Sequence, residues 1–190
     1  MLDFDSLPSA DQMLLPERRD AYAGQQANLW KRLVRVHTSL VAIDRVGSFP
    51  FTKLVAPEEQ WFWQNVIDNF GDAVTLILSE LVNGPGDCLT IRRFAQRVLE
   101  WLRPEHQEQY RARLRYARFD EKLRTIAEKV RTLRDEHVAH TLWDPDAPAL
   151  KSPRTRVSAQ EVDMLFKKVR EIFEIACLNT QFLIEPEGYG

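Results

Sequence analysis

FDEKLRTIAEKVRTLRDEHVAH, residues 119–140, is the stretch that decides the fold class. Its apolar side chains fall at Phe119, Leu123, Ile126, Val130 and Leu133, in alternating steps of four and three. That spacing draws one buried stripe along a helix. Continued past Leu133, the stripe reaches His137 and then His140. Both imidazoles therefore stand on the inward line of the helix, not on its solvated back. Arg134 lies beside the stripe, about 100° around from Leu133.

The same period recurs on either side. Upstream, Leu29, Leu33, Val36, Leu40 and Ile43 predict a long first helix starting near Pro16 and broken by GSFPF at 47–51. Pro57 is placed to open a second helix, with Phe62, Val66, Phe70, Val74, Ile77 and Leu81 on one inward face and NGPGD (83–87) as its stop. Thr90 can cap a third helix carrying Ile91, Phe94, Val98 and Leu102 inward. Pro104 begins a fourth helical region running to about Leu142, with a bend expected near Ala117–Phe119. Residues 143–157 form a Pro-rich loop. SAQE (158–161), a Ser followed by Glu three residues on, reads as a capping box before a last helix with Val162, Leu165, Val169, Ile172 and Ala176 inward. Residues 1–15 read as a loose arm. The expectation is an all-α bundle of about five helices in one domain over 1–190.

Composition agrees with a compact helical domain. Of 190 residues, 44% are hydrophobic and 28% charged, and the net charge is −2. The chain as a whole is thus no strongly basic nucleic-acid binder, and charge must be read locally. The two cysteines, Cys88 and Cys177, make neither a disulfide framework nor a zinc spacing. A reducing, cytoplasmic setting is expected. The opening MLDFDSLPSADQ lacks the basic start and apolar run of a signal peptide, and no stretch predicts a membrane span.

Three readings of LRDEHVAH compete. In the first, His137 and His140 are hydrogen-bonded core residues and Arg134 answers the negative end of the helix dipole. In the second, they bind a metal, but no H-E-x-x-H or E-x-x-H pattern supports this, so no metal is expected. In the third, His140 transfers protons and Arg134 grips a phosphate with paired, charge-assisted hydrogen bonds. An Arg and a His suffice to cleave RNA, because the 2′-hydroxyl of the substrate is the nucleophile. Six residues separate Arg134 from His140, roughly 9 Å of rise and about 120° of rotation. One copy closes on one phosphate with difficulty. Two copies across a two-fold axis can share a cleft, so this third reading predicts a homodimer through the Arg134–His140 helix.

Arg134, Asp135 and His140 form R-D-x(4)-H, which resembles the R-[polar]-x(3–5)-H motif of the HEPN superfamily of small helical domains. LRDEHVAH, followed by a Pro-rich loop and a capped last helix, most resembles the abortive-infection AbiU-type branch. The resemblance implies a metal-independent ribonuclease toxin of a bacterial phage-defence or toxin–antitoxin system. Such enzymes act as dimers and leave a 2′,3′-cyclic phosphate. Arg134 and His140 would be the catalytic pair, Asp135 the polar residue that steadies the Arg, and His137 an assisting group. No cofactor is implied, and an antitoxin protein is a possible partner. Some HEPN toxins carry a modifiable Tyr two residues after the His, where this chain has Leu142. A looser match, Arg32 and His37, has Leu33 at the polar position and is read as accidental.

Between Tyr110 and Arg134 nine basic residues stand against three acids. Arg111, Arg115, Arg118, Lys122 and Lys129 fall near one helical face and are the candidate path for an RNA backbone. A solvated or ion-paired face is the competing reading. A non-catalytic helical module that binds RNA or a protein partner would use the same surface without His140. A nucleotide-binding helical domain is a third possibility.

Overall fold

The computed structural model describes residues 9–50, 54, 56–137 and 159–178. It is all-α, as the periodicity predicts. Seven helices are present among the described residues: α1 (Ala10–Met13), α2 (Arg19–Ser48), α3 (Pro57–Asn83), α4 (Ile91–Trp101), α5 (Pro104–Tyr116), α6 (Phe119–His137) and α7 (Ala159–Ala176). A 3-10 turn, Pro16–Arg18, leads into α2.

The long helices α2, α3, α6 and α7 form an up-down-up-down bundle. Ring contacts set the direction of α2 against α7, since Trp30 meets Phe173 and His37 meets Phe166. Lys122 of α6 reaches Glu171 of α7 at 2.7 Å, so these two also run antiparallel. Asn83, the last residue of α3, donates its side-chain amide to the Ala127 carbonyl of α6 at 2.8 Å. The short helices α4 and α5 close the end of the bundle where α3 stops and α6 starts.

The stripe that opens the reading is buried along its whole length: Phe119, Leu123, Ile126, Val130 and Leu133. Each such side chain contributes about 1.5–3 kcal/mol as an upper estimate. Thr90 caps α4 as expected, its hydroxyl accepting from the Arg93 amide at 3.2 Å. Leu29, Leu33 and Val36 of α2 and Leu165, Val169, Ile172 and Ala176 of α7 also face the core.

Three expectations need correction. Residues 9–15 of the supposed loose arm are docked: Met13 and Leu14 are buried, the Leu15 amide donates to the Trp101 carbonyl, and the Arg103 amide donates to the Met13 carbonyl, both at 2.9 Å. The arm pairs with the α4–α5 corner because its two apolar residues have a core to enter. The fourth helical region is broken rather than bent. Arg118, with φ 52°, turns the chain between α5 and α6. The inward face of α3 is real only in its second half. Val74, Leu78 and Leu81 are buried, while Phe62 is 57% and Phe70 36% exposed. Ala127 lies ten residues before the described end of α6 at His137, and ten residues back from Asn83 on α3 is Ala73, where burial begins. Among the described residues, α6 has nothing to set against the first half of α3.

The far end of α7 is clamped from three directions. The Tyr110 hydroxyl donates to the Ala176 carbonyl at 2.7 Å. Arg113 donates to the Cys177 and Glu174 carbonyls at 2.8 and 3.1 Å. The Tyr22 hydroxyl accepts from the Leu178 amide at 2.9 Å. These bonds satisfy carbonyls and an amide that a helix end leaves without intrahelical partners. Ser158 of the expected capping box, the loop 143–157 and residues 1–8 lie outside the described residues.

Candidate functional site

The last described turn of α6 carries Arg134 and Asp135, the first two residues of the R-D-x(4)-H motif. Leu133 is buried and fixes the rotation of the turn, which leaves the Arg134 side chain 42% exposed. Its Nε and Nη2 both donate to Oδ1 of Asp135, at 3.0 and 2.7 Å. An arginine has five N–H donors. Two are spent on the adjacent carboxylate, and the rest have no partner among the described residues. Asp135 therefore orients the guanidinium without consuming it. His137 closes α6. His140 lies outside the described residues, so the structure places half of the expected Arg–His pair.

The basic face of the sequence reading is largely neutralised. The break at Arg118 puts Arg111 and Arg115 on α5 and Lys122 and Lys129 on α6, so no single helix carries all five. Arg115 and Arg111 both bind Glu108, at 2.6 and 3.5 Å. The Arg115 hydrogen bond, reinforced by its charge, holds the Glu108 carboxyl below the usual range. Arg118 chelates Glu121 through Nε and Nη2 at 2.7 and 2.6 Å. Lys122 is bound to Glu171. Of the five, Lys129 alone has no ion pair among the described residues. It lines a shallow groove with Thr125, Thr132, Met164 and Lys168.

A second basic cluster lies elsewhere on the bundle. Where α3 ends, α4 begins and α6 passes, a cleft of about 400 Å³ is lined by Arg92, Arg93, Arg124 and Arg131, with Glu128 as its single acid. Gly84 lets the chain pass close behind it. A Cβ on Gly84 would meet the Glu80 carbonyl oxygen at 2.7 Å and the Cys88 Cβ at 2.8 Å, so only glycine fits. Arg124 and Arg131 are among the nine basic residues of 110–134 but fall outside the face that spacing picks out. Their seven-residue spacing was visible. The approach of Arg92 and Arg93 from α4 was not, since it depends on how α4 crosses α6.

Arg32 and His37 are absorbed by packing. His37 lies against Phe166, with ring centres 5.9 Å apart, and Arg32 donates to the Leu89 carbonyl at 3.4 Å. Cys177 is buried, which pushes its thiol up to about 12. Among the described residues no three His, Cys, Asp or Glu side chains gather as metal ligands, and no helix is long and apolar enough to cross a membrane. Comparison with protein-family profiles, with curated proteins and with solved structures finds no match.

Proposed function

We propose that this chain is a metal-independent endoribonuclease toxin of the HEPN type, acting in a bacterial phage-defence or toxin–antitoxin system. The observation that carries the reading is the R-D-x(4)-H sequence, whose Arg134 and Asp135 stand paired on the last described turn of α6, next to the buried Leu133. His140 takes the proton of a ribose 2′-hydroxyl. The oxygen attacks the neighbouring phosphorus, the P–O5′ bond breaks, and the leaving 5′-oxygen takes a proton from the partner copy's imidazolium at the shared site or from water. The products are a 2′,3′-cyclic phosphate and a 5′-hydroxyl. Arg134, oriented by Asp135, holds the charge that builds on the phosphate oxygens. His137 assists from the same stripe. A homodimer through α6 brings Arg134 of one copy toward His140 of the other. An antitoxin protein that silences it works by some route other than a Tyr at position 142.

End-labelled RNA incubated in EDTA with wild type and with His140→Ala tests this. Cleavage by the wild type falls by about 100- to 10,000-fold in the variant, the usual contribution of a general acid or base. Full cleavage by His140→Ala would remove the assignment. A second reading, a non-catalytic RNA-binding module, is favoured by the arginine cleft on α4 and α6, which needs no histidine. In that case His140→Ala leaves RNA binding and phenotype unchanged and no cleavage is seen.

A further inference from the structure

We infer that the arginine cleft between α4 and α6 is the grip for a single-stranded RNA backbone, and that it leads that backbone toward Arg134. The inference rests on the ribonuclease reading for its endpoint, but the cleft stands on its own residues.

Charge is the first argument. Four arginines and one glutamate line the cleft, in a chain whose net charge is −2. Gathering like charges costs stability unless something answers them. Elsewhere this chain answers its arginines with carboxylates, as Glu108 and Glu121 show. Here it does not. Arg124 and Arg131 take part in no ion pair among the described residues. Arg92 has only a loose contact, 3.8 Å, with Asp120, whose side chain is 87% exposed. Arg93 is pinned by the Pro85 and Cys88 carbonyls at 3.0 and 2.7 Å, which fix its position and leave its charge intact.

Shape is the second. Arg124 and Arg131 are two turns apart on α6, about 10.5 Å along the axis. A chain of phosphates satisfies both without drawing them together. Arg131 and Arg134 are three residues apart and so neighbours on the helix surface. Glu128 interrupts the row, four residues after Arg124 and three before Arg131, and a strand that leaves the cleft past Arg131 meets Arg134 next.

Lining chemistry is the third. No aromatic residue lines the cleft. Bases would find no ring to stack on, whereas guanidinium groups suit phosphate oxygens. The cleft is built to hold the backbone and leave the sequence unread.

The test uses the full chain and a fluorescent 20-nucleotide 2′-O-methyl oligouridine, which lacks the nucleophile and cannot be cut. Anisotropy is followed across a salt series. Arg124→Ala with Arg131→Ala should weaken binding by about 10- to 100-fold and reduce the salt slope by about 1.4, at roughly 0.7 for each phosphate contact on a single strand. Arg115→Ala with Arg118→Ala should leave both within about twofold, since those charges are already paired. Both pairs are exposed, and a thermal melt of each variant checks that it is folded. Wild-type binding that survives the cleft substitutions overturns the inference, as does no wild-type binding at all. Cleft-dependent binding of ATP with no RNA bound also overturns it, by assigning the site to a free nucleotide phosphate. Cleft-dependent RNA binding without His140-dependent cleavage leaves this inference standing and removes the nuclease reading. His140-dependent cleavage with an idle cleft does the reverse.

Discussion

Tyr110 shows what a single side chain does for this bundle. It is buried, and its hydroxyl holds the last carbonyl of α7. Tyr110→Phe keeps the ring and strands the Ala176 carbonyl in an apolar setting. The expected loss is about 1–2 kcal/mol, read as a lower urea midpoint at unchanged slope. Such roles were only partly legible in the sequence. Thr90 could be read as a cap because its partner, the Arg93 amide, is three residues away. Tyr110 could not, because its partner is on a helix 66 residues further on. The same divide explains the candidate site. Asp135 next to Arg134 was readable as a support. That Glu171 would quench Lys122, and that Glu108 would hold two arginines, depended on tertiary packing or on side-chain geometry that spacing does not reveal.

Helices whose apolar period was long and regular came through intact, and so did the boundaries that Pro57, Asn83, Thr90 and Pro104 mark; the α5–α6 junction did not. From Phe119 to Leu133 every expected inward residue is buried. The α5–α6 junction looked like a bend because RYARFD contains no Gly or Pro to announce a break. Arg118 takes the left-handed conformation there, which costs an L-residue with a Cβ roughly 1–2 kcal/mol. Arg118→Gly removes that cost and gives back about 0.5–1 kcal/mol in unfolded-chain entropy. The lost contact with Glu121 is exposed and adds little. A net gain of about 0.5–1 kcal/mol is expected, seen as a melting temperature a few degrees higher. The outward Phe62 and Phe70 teach the complementary lesson. Periodicity states which face of α3 is apolar, but burial needs a helix opposite, and the apolar period continues beyond the reach of the described part of α6.

At the scale of the whole molecule, folding traps two acids in neutral form. Burial raises the Cys177 thiol to about 12 and raises the Tyr110 phenol as well. Each binds its proton more tightly folded than unfolded. The Cys177 contribution is fully present below pH 9, the ordinary thiol value, and is lost as pH rises from there through the folded value near 12, while that of Tyr110 begins to fall only near pH 10. Urea midpoints measured at pH 7, 9 and 10.5 should hold between the first two and fall at the third. Cys177→Ala should start lower and fall less steeply. The clamp that buries these groups also sets an order of events during synthesis. Tyr22 receives its hydrogen bond from Leu178, 156 residues later in the chain. At about 5–20 residues per second, the ribosome needs roughly 8 to 30 seconds to make that partner. Throughout that interval the inner face of α2 lacks the helix that completes it. In a crowded cell, that nascent face is open to a chaperone or to another nascent copy before its own last helix arrives.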